Sequence, residues 1–311
     1  MKFNILFFLI LLPLSLFSQK FDHVDNFVKS LEFKHTESIE QVTSKITQPF
    51  KSDIERVRAI YFWIAANIEY DYDGIDSYNW ENYSTFEDIL NATFVNRKGI
   101  CSGYSHLFER MATLCDIDCE VISGFARADL QTIFVKASNH AWNRVLIDDS
   151  WKLIDVTWAR DTVRRQVDYF YFLTDPELFI LNHYPEDYEA ALLEETYTYE
   201  DFMNFPLYRP SFHRTDFSNH IPKSGLLRAT NDTIRINIQP NYECIMLPIW
   251  YDLVEQEWVK VQAGEIEQKD GWLKLFVPRK SDFLLKVGAL TQTDTTFSVT
   301  EELVYFKVDN K

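Results

Sequence analysis

The stretch "NHAWNRVLIDDSWKLIDVTWA", residues 139–159, predicts two antiparallel strands joined by a tight polar turn at Asp148, Asp149 and Ser150. This hairpin carries His140 at the head of its first strand and Asp155 in its second strand. With an even number of residues in the loop, Trp142 pairs with Asp155, and His140 lies diagonal to the acid on the same side. An odd loop would turn the two side chains to opposite faces. The hairpin therefore predicts that His140 and Asp155 lie on the same side, provided that the loop has an even number of residues.

Upstream, "RKGICSGYSHLFERM", residues 97–111, predicts a helix with Cys101 in its first turn. The partial positive charge of a helix N-terminus favours a thiolate, and two upstream cations, Arg97 and Lys98, could add to it. Gly99 and Gly103 bracket the cysteine and would leave its backbone open to a substrate carbonyl. Taken alone, the motif is more typical of a buried structural cysteine.

His140 and Asp155 shift the balance towards catalysis. If the fold brings the three together, Asp155 accepts a hydrogen bond from one nitrogen of His140, and the other nitrogen takes the proton of Cys101. The thiolate would then attack an acyl carbon, and the thioester would pass to water or to an amine. The backbone N–H of Cys101 is a natural oxyanion donor. The candidates for a second donor are Trp63, Tyr70 and Asn96.

Other sites are less well supported by the residues. Cys101, His140 and Asp155 could hold a metal ion, but a further ligand is missing. Asp71, Asp73 and Asp76 lie in a long acidic and aromatic loop, but their spacing matches no EF-hand. The remaining histidines, which include His183 and a His106 expected to be solvated, lack a comparable setting. Cys115 and Cys119 would either pair with each other or be two buried thiols, and we favour burial.

The segments "WIAANIEYD", "GICSGYSHLFERM", "SGFA" and "NHAWNRVLIDDSWKLIDVTWA" together resemble the transglutaminase-like superfamily, and most closely its kyphoscoliosis-peptidase-like branch. The resemblance covers residues 52–187. It implies an α+β, papain-like core in which a helix-borne cysteine packs on an antiparallel sheet. It also implies Cys101 as nucleophile, His140 as base and Asp155 as orienting acid. Separately, we expect no cofactor and no metal.

The superfamily includes proteases, amide cross-linkers, deamidases and inactive members, so the resemblance does not choose a reaction. We expect an enzyme that cleaves or transfers amide acyl groups of proteins or peptides. Hydrolysis is favoured over cross-linking because nothing in the sequence marks an amine-acceptor site. The alternative is a catalytically silent binding or scaffold protein with the same fold.

The order of segments predicts three parts. Residues 1–18, "MKFNILFFLILLPLSLFS", have the layout of a secretory signal peptide, which predicts export to the periplasm, the cell surface or the medium. Residues 19–210 form the predicted catalytic domain, with two helices in 22–50, a helix ending near Asn67 and helical, aromatic structure in 160–205. Residues 211–311 contain short alternating runs divided by turn residues, which predict an immunoglobulin-like β-sandwich.

The charge of the chain restricts its partners. It has 31 Lys and Arg against 47 Asp and Glu, for a net charge of −16. A chain this acidic repels nucleic acid and anionic membrane. After the first 18 residues no apolar stretch reaches the length of a membrane span. We therefore expect a protein or peptide substrate, no nucleic acid and no stable membrane insertion.

Overall fold

The computed structural model describes thirteen segments of the chain: 21–72, 85–128, 135–161, 166–209, 212, 224–230, 233–237, 244–252, 257–260, 266–269, 272–276, 283–292 and 297–309. The predicted signal peptide lies outside these residues and stays a prediction. So do Asp73 and Asp76 of the calcium alternative. No described helix is both long enough and apolar enough to cross a membrane.

Helices form the N-terminal layer. The two helices expected in residues 22–50 and the long helix ending at Asn67 are confirmed. The helices of the described residues are α1 Asp22–Lys29, α2 Ile39–Thr47, α3 Asp53–Asn67, α4 Phe86–Asn96, α5 Cys101–Thr113, α6 Pro176–Phe179 and α7 Tyr199–Asn204, with a 3-10 turn at Tyr188–Ala191. Helix α3 is the centre of the layer, because all its residues from Val57 to Ala65 are buried.

Helix α4 was not predicted. It follows the long acidic loop and begins with a capping box, in which Thr85 accepts from the Asp88 backbone N–H and Asp88 accepts from the Thr85 backbone N–H. The pattern Thr-x-x-Asp was visible in the sequence as a start signal. Its last residues lead through a left-handed Arg97 (φ 54°) to the short pairing that precedes Cys101.

The first nine strands include the five that form the sheet on which α5 packs. These strands are β1 Glu69–Tyr70, β2 Lys98–Gly99, β3 Cys119–Ala126, β4 His140–Ile147, β5 Ser150–Ile154, β6 Arg160–Asp161, β7 Gln166–Val167, β8 Phe172–Thr174 and β9 His183–Pro185. Five of them form a sheet in the order β8-β5-β4-β3-β9, and every pairing in it is antiparallel. Helix α5 lies on β3 and β4. The α+β core of the predicted fold class is therefore confirmed.

The β4–β5 hairpin meets the geometric condition set by the sequence. Ile147 pairs with Ser150 and Asn143 with Ile154, so the loop contains only Asp148 and Asp149. Both have positive φ, 50° and 59°, as two-residue hairpin turns of this hand require. Continued by one residue, this register sets Trp142 opposite Asp155. The even loop therefore leaves His140 and Asp155 on the same side.

The prediction of helical structure for residues 160–205 is wrong in its main part. Strands β8 and β9 lie in this segment and become the two edges of the five-stranded sheet, and the short helix α6 lies between them along the chain. The aromatic run "YFYFL" looked helical because apolar residues in short strands carry no distinct period. Its residues Phe170 and Tyr171 instead pack under the sheet with Trp142.

Strands are the main described elements of the C-terminal region. They are β10 Leu207–Tyr208, β11 Leu226–Arg228, β12 Thr233–Asn237, β13 Cys244–Asp252, β14 Glu257–Lys260, β15 Ile266–Lys269, β16 Trp272–Phe276, β17 Phe283–Gln292 and β18 Phe297–Asp309. They form a six-stranded sheet, β10-β18-β17-β13-β14 with β11 on β18, and a three-stranded sheet, β12-β16-β15. The expected strands are confirmed. Their arrangement as a sandwich and the boundary after residue 210 stay predictions, and β10 precedes that boundary but pairs with β18.

Two apolar clusters lie around the five-stranded sheet. The larger one joins the helices to Val145, Ile147 and Ile154 of the hairpin. The smaller one packs Trp142 and Leu153 against Phe170, Tyr171 and Phe179, among others. Successive strand residues face opposite sides of a sheet, so the hairpin contributes alternate residues to each cluster. Asp155 follows β5 directly, at the end of the sheet where both clusters meet it.

Candidate active site

Cys101 is the first residue of α5, and its thiol faces the start of β4. The sulfur shares a side-chain hydrogen bond with His140 and accepts one from the backbone N–H of Ala141. Helix α5 is held on the sheet partly by Asn143, whose side-chain amide donates to the Ser105 backbone carbonyl at 3.0 Å. The contact between Cys101 and His140 therefore rests on a helix and a strand that are tied to each other.

His140 connects the thiol to a buried carboxylate. Its Nε2 lies 2.8 Å from Oδ2 of Asp155, which leaves Nδ1 for the side of Cys101. The carboxylate is fully buried. Its second oxygen, Oδ1, accepts from the backbone N–H groups of Thr157 at 2.8 Å and Trp158 at 3.1 Å. The structure thus brings together all three predicted site residues, in the order thiol, imidazole, carboxylate.

The charges of these groups support one another. Burial raises the pKa of the Cys101 thiol, but the hydrogen bond and charge of His140 and the backbone N–H of Ala141 together lower it by more, so the pKa lies below its ordinary value. Burial lowers the pKa of His140, but the Asp155 carboxylate and then Cys101 raise it to about 10. Burial likewise raises the pKa of Asp155, and His140 and His183 bring it well below its usual range. These shifts favour a thiolate–imidazolium pair next to an ionised carboxylate.

The lowered pKa of Cys101 distinguishes it from the other two cysteines whose side chains are described. Burial raises the pKa of both Cys115 and Cys119 above the ordinary thiol value. Both are free thiols and only partly exposed, so the disulfide alternative is wrong and the expectation of full burial holds only in part. The two expected cations also point elsewhere: Arg97 packs on Phe94 at 4.1 Å, and Lys98 pairs with Asp71 at 2.7 Å.

Gly99 and Gly103 have a packing role that the sequence did not reveal. A Cβ atom at Gly99 would lie 2.5 Å from Oγ1 of Thr93, and one at Gly103 would lie 2.1 Å from the same atom. Thr93 belongs to α4 and is buried. The two glycines therefore let α4 approach the start of α5, and this contact helps to place Cys101.

His183 is the residue of the site that the sequence analysis missed. Its Nε2 lies 3.0 Å from Oδ2 of Asp155, the same oxygen that binds His140. The residue is 1% exposed, and its ring stacks on Phe179 with 4.1 Å between centroids. It was passed over because it belongs to the segment expected to be helical, far along the chain from the hairpin. Only the pairing of β9 with β3 brings it to Asp155.

Among the described residues, the one group with the ligand atoms for a metal ion is His140, Asp155 and His183, whose atoms lie within 4.8 Å of one another. This differs from the metal alternative of the sequence, which used Cys101. Both histidines already contact one carboxylate oxygen directly, at 2.8 and 3.0 Å. An ion would have to replace both hydrogen bonds in a nearly fully buried place. The His–Asp–His geometry is that of a hydrogen-bonded network.

The three candidate oxyanion donors occupy different places. Asn96 ends α4 and is exposed, and Trp63 is fully buried with its ring against Phe94. Tyr70 lies in β1, which pairs with β2 and so runs beside Gly99, two residues before Cys101. After burial, the charge of Cys101 is the largest cause that raises the pKa of Tyr70, so this hydroxyl stays protonated near the sulfur. Tyr70 is the best placed of the three.

Comparison with known proteins agrees with the geometry. A family model described as the transglutaminase-like superfamily matches residues 40–156, which include all three site residues. The chain is 30% identical to human kyphoscoliosis peptidase over 236 residues, which is 73% of this chain and 35% of that protein. It is 25% identical to hillarin of Drosophila melanogaster over 239 residues, 69% of this chain and 28% of that protein.

The matched part of this chain thus spans about a third of the length of these relatives. The fold is also similar to a solved crystal structure of a TGase, at 19% identity and a TM-score of 0.28, over 45% of this chain and 32% of that chain. This low score by itself places the chain in no fold family. The family match, the curated relatives and the sequence motifs agree, and residues 40–156 belong to the transglutaminase-like superfamily, on the branch that includes kyphoscoliosis peptidase.

Proposed function

We propose that this chain is an exported cysteine enzyme that breaks amide bonds of proteins or peptides through an acyl-thioester on Cys101. One observation carries the proposal: the Cys101 thiol is hydrogen-bonded to His140, whose other ring nitrogen lies 2.8 Å from the buried carboxylate of Asp155. A structural cysteine has no need of a buried imidazole and carboxylate aligned behind it. A nucleophile does, because only the thiolate attacks carbonyl carbon at a useful rate.

The reaction would proceed in two acyl-transfer steps. The Cys101 thiolate attacks the amide carbonyl carbon, and the negative charge that develops on oxygen accepts hydrogen bonds from N–H groups at the start of α5, which have no acceptor within the helix. His140 gives its proton to the departing amine, and the acyl group remains on sulfur as a thioester. Water then attacks the thioester as His140 takes a proton from it, and the carboxylic acid leaves as the thiolate is restored.

Asp155 would hold His140 in the tautomer and orientation that these steps need. Its Oδ2 receives the Nε2–H of His140, so Nδ1 stays directed at the sulfur. The carboxylate remains ionised throughout because its pKa lies well below its usual range. An imidazolium formed during the reaction is therefore always next to a negative charge, which lowers the energy of the charged state.

Water is the proposed acceptor in the second step, which makes the enzyme a peptidase. An amine acceptor would make it a cross-linker from the same thioester. The name of the human relative contains the word peptidase, which supports hydrolysis for this chain. Because water and an amine would react with the same thioester, the masses of the products distinguish hydrolysis from cross-linking.

The first experiment tests the nucleophile directly. The intact protein is alkylated with iodoacetamide across pH, and the modified cysteines are located by peptide mass spectrometry. Reaction at Cys101 should persist well below the ordinary thiol pKa, while Cys115 and Cys119, whose pKa values are raised, provide internal controls. Replacing His140 by Gln should move the Cys101 profile up to that of an ordinary thiol. A wild-type Cys101 that titrates with the other cysteines would contradict the proposal.

The second experiment identifies the reaction. A peptide library is incubated with the wild-type protein and with Cys101→Ala, and products are read by mass. Cleaved peptides in the wild-type sample alone support a peptidase, and a gain of about one mass unit per glutamine indicates deamidation. Cross-linked masses would assign the second step to an amine. A Cys101→Ala variant that retains the biological effect of the wild-type protein would favour a binding role.

Export is tested separately. Expressed from its full sequence in a cell with a secretory system, the protein should appear outside the cytoplasm with its N-terminus at or near Gln19. Full-length protein that keeps Met1 and stays in the cytoplasm would refute this part of the proposal, and would leave the chemistry at Cys101 unaffected.

A further inference from the structure

The carboxylate of Asp155 is shared by two histidines that reach it from different parts of the chain. His140 comes from β4 and His183 from the edge strand β9, and both Nε2 atoms bind Oδ2, at 2.8 and 3.0 Å. With the two backbone donors on Oδ1, the carboxylate receives four hydrogen bonds. Four donors use nearly all of its acceptor capacity, so its orientation is determined by its partners.

His183 is enclosed in a way that suits a fixed donor and not a proton carrier. Its ring lies against Phe179 at 4.1 Å, Trp158 at 4.4 Å and Trp142 at 5.1 Å between centroids. Tyr171 packs on it edge-on at 5.9 Å. The titratable groups that face it are Asp155, His140 and Tyr171, and only the first two carry charge near neutral pH. A ring confined on these sides donates in one direction, towards Asp155.

The protonation state of His183 agrees with this role. Burial lowers its pKa to about 4, and neither Asp155 nor the backbone at Phe179, which both favour the charged ring, outweighs burial. The ring is thus neutral near neutral pH. A neutral imidazole that donates from Nε2 to Asp155 carries no proton on Nδ1. His183 therefore adds no charge to compete with His140 for the carboxylate.

We propose that His183 is a positioning residue of the site: its Nε2–H holds the Asp155 carboxylate in the rotamer that binds His140, and so maintains the contact between His140 and Cys101. This rests on the proposed function of Cys101. Without the second donor, Asp155 has room to rotate about its Oδ1 contacts, and His140 loses a fixed acceptor. The thiolate–imidazolium pair is then less stable, and the thiol becomes less reactive at low pH.

Two variants of nearly equal size test the donor itself. In His183→Gln the side-chain amide nitrogen stands close to the position of Nε2 and can still donate to Asp155. In His183→Met the same volume is kept and the donor is lost. The readout is the rate of Cys101 alkylation by iodoacetamide against pH, mapped by peptide mass spectrometry, with Cys115 as internal control.

We expect the glutamine variant to keep most of the low-pH reactivity of Cys101. The methionine variant should lose it by about tenfold, which is the lower end of the cost of removing the hydrogen-bond partner of a metal-binding histidine. Equal profiles for the two variants would overturn the proposal. If His183→Met does not fold, His183→Asn replaces it, because its shorter amide cannot reach Asp155 from the position of the ring.

A double-mutant cycle shows whether His183 acts through Asp155. In an Asp155→Asn background, His183→Gln and His183→Met should give the same Cys101 reactivity, because the carboxylate that His183 positions is gone. A purely structural role would give the same difference between the two variants in both backgrounds and would contradict the inference. Failure of the proposed function is distinguishable, because wild-type Cys101 would then already react as an ordinary thiol.

Discussion

At the scale of single residues, Cys101 and His140 titrate as a coupled pair. His140 lowers the pKa of Cys101, and Cys101 raises the pKa of His140, so both pKa values are properties of the pair. The charged pair exists between the lowered pKa of the thiol and the pKa of about 10 of the imidazole. Activity that depends on the pair should therefore rise as Cys101 loses its proton and fall only as the pH approaches that of His140 deprotonation. This broad plateau follows from burial beside Asp155.

Replacing Cys101 by Ala should lower the pKa of His140. The sulfur contributes a hydrogen bond and a charge to the raised value, while the larger contributions of Asp155 remain. The titration of the His140 ring, followed by NMR, should thus end below pH 10 and still above the ordinary value of about 6.5. A Cys115→Ala variant serves as control and should leave it unchanged.

The raised pKa of His140 also affects the stability of the fold. A raised folded-state pKa stabilises the fold fully below about pH 6.5 and loses this contribution as the pH rises towards 10. In Cys101→Ala the loss should be complete at lower pH, which thermal unfolding across pH would detect. An unchanged His140 titration in this variant would show that the two side chains are not coupled.

Tyr70 is expected to donate to the oxyanion. Tyr70→Phe should reduce turnover by about 10²-fold, the usual effect of removing one oxyanion donor, and should leave the alkylation profile of Cys101 unchanged. Tyr104→Phe is the matched control, because its buried hydroxyl already donates to the backbone carbonyl of Ile68. Equal turnover in the two variants would rule out the role of Tyr70.

At the scale of elements, the site depends on how closely α4 approaches α5. Gly103→Ala would bring a Cβ atom to 2.1 Å from Oγ1 of Thr93, so the Thr93 side chain or one of the two helices has to shift. We expect a loss of about 1–3 kcal/mol in the free energy of unfolding, as in other overpacked cores, and slower alkylation of Cys101. Thr93→Ala in addition should restore part of both, because it removes the atom in closest contact.

Urea denaturation of the two single variants and the double variant measures this coupling. Additive losses would mean that Thr93 is not the reason for glycine at this position. The site also depends on the β4–β5 hairpin. Its two-residue turn determines the register of β4 and β5, and that register places His140 and Asp155 on the same side.

At the scale of the whole molecule, a buried ion pair ties the N-terminal helices to the rest of the domain. Arg58 of α3 donates twice to Asp25 of α1, at 2.8 Å each, and both side chains are almost fully buried. Tyr169, from the segment before β8, donates to the same carboxylate at 3.1 Å. One charge pair therefore connects a helix at the start of the chain to the sheet that carries the site.

Asp25→Asn should cost about 3–5 kcal/mol of unfolding free energy, because Arg58 would stay buried without its counter-charge. Urea denaturation measures it. Glu120→Gln, which breaks a pair with the partly exposed Arg144, is the control and should cost at most about 1 kcal/mol. A loss for Asp25→Asn no larger than that of the control would mean that Arg58 finds water or another partner.

The sequence by itself determined the parts of this protein that depend on local pattern. The three N-terminal helices, the helix behind Cys101, the β4–β5 hairpin and most C-terminal strands follow from period, caps and turn residues over a few positions. The triad segments could be recognised for the same reason. Each of Cys101, His140 and Asp155 lies in a short motif whose residue types are specific, and the loop length of the hairpin is itself local.

Only the tertiary structure decided what depends on contacts between distant segments. The role of His183 could not be assigned from its own segment, because its environment of aromatic rings and its bond to Asp155 arise when β9 joins the edge of the sheet. The glycines around Cys101 likewise have their reason in Thr93, on another helix. A hydrogen bond or a close packing contact depends on the distance between two residues in the folded structure. For residues far apart in the sequence, local sequence patterns do not give that distance.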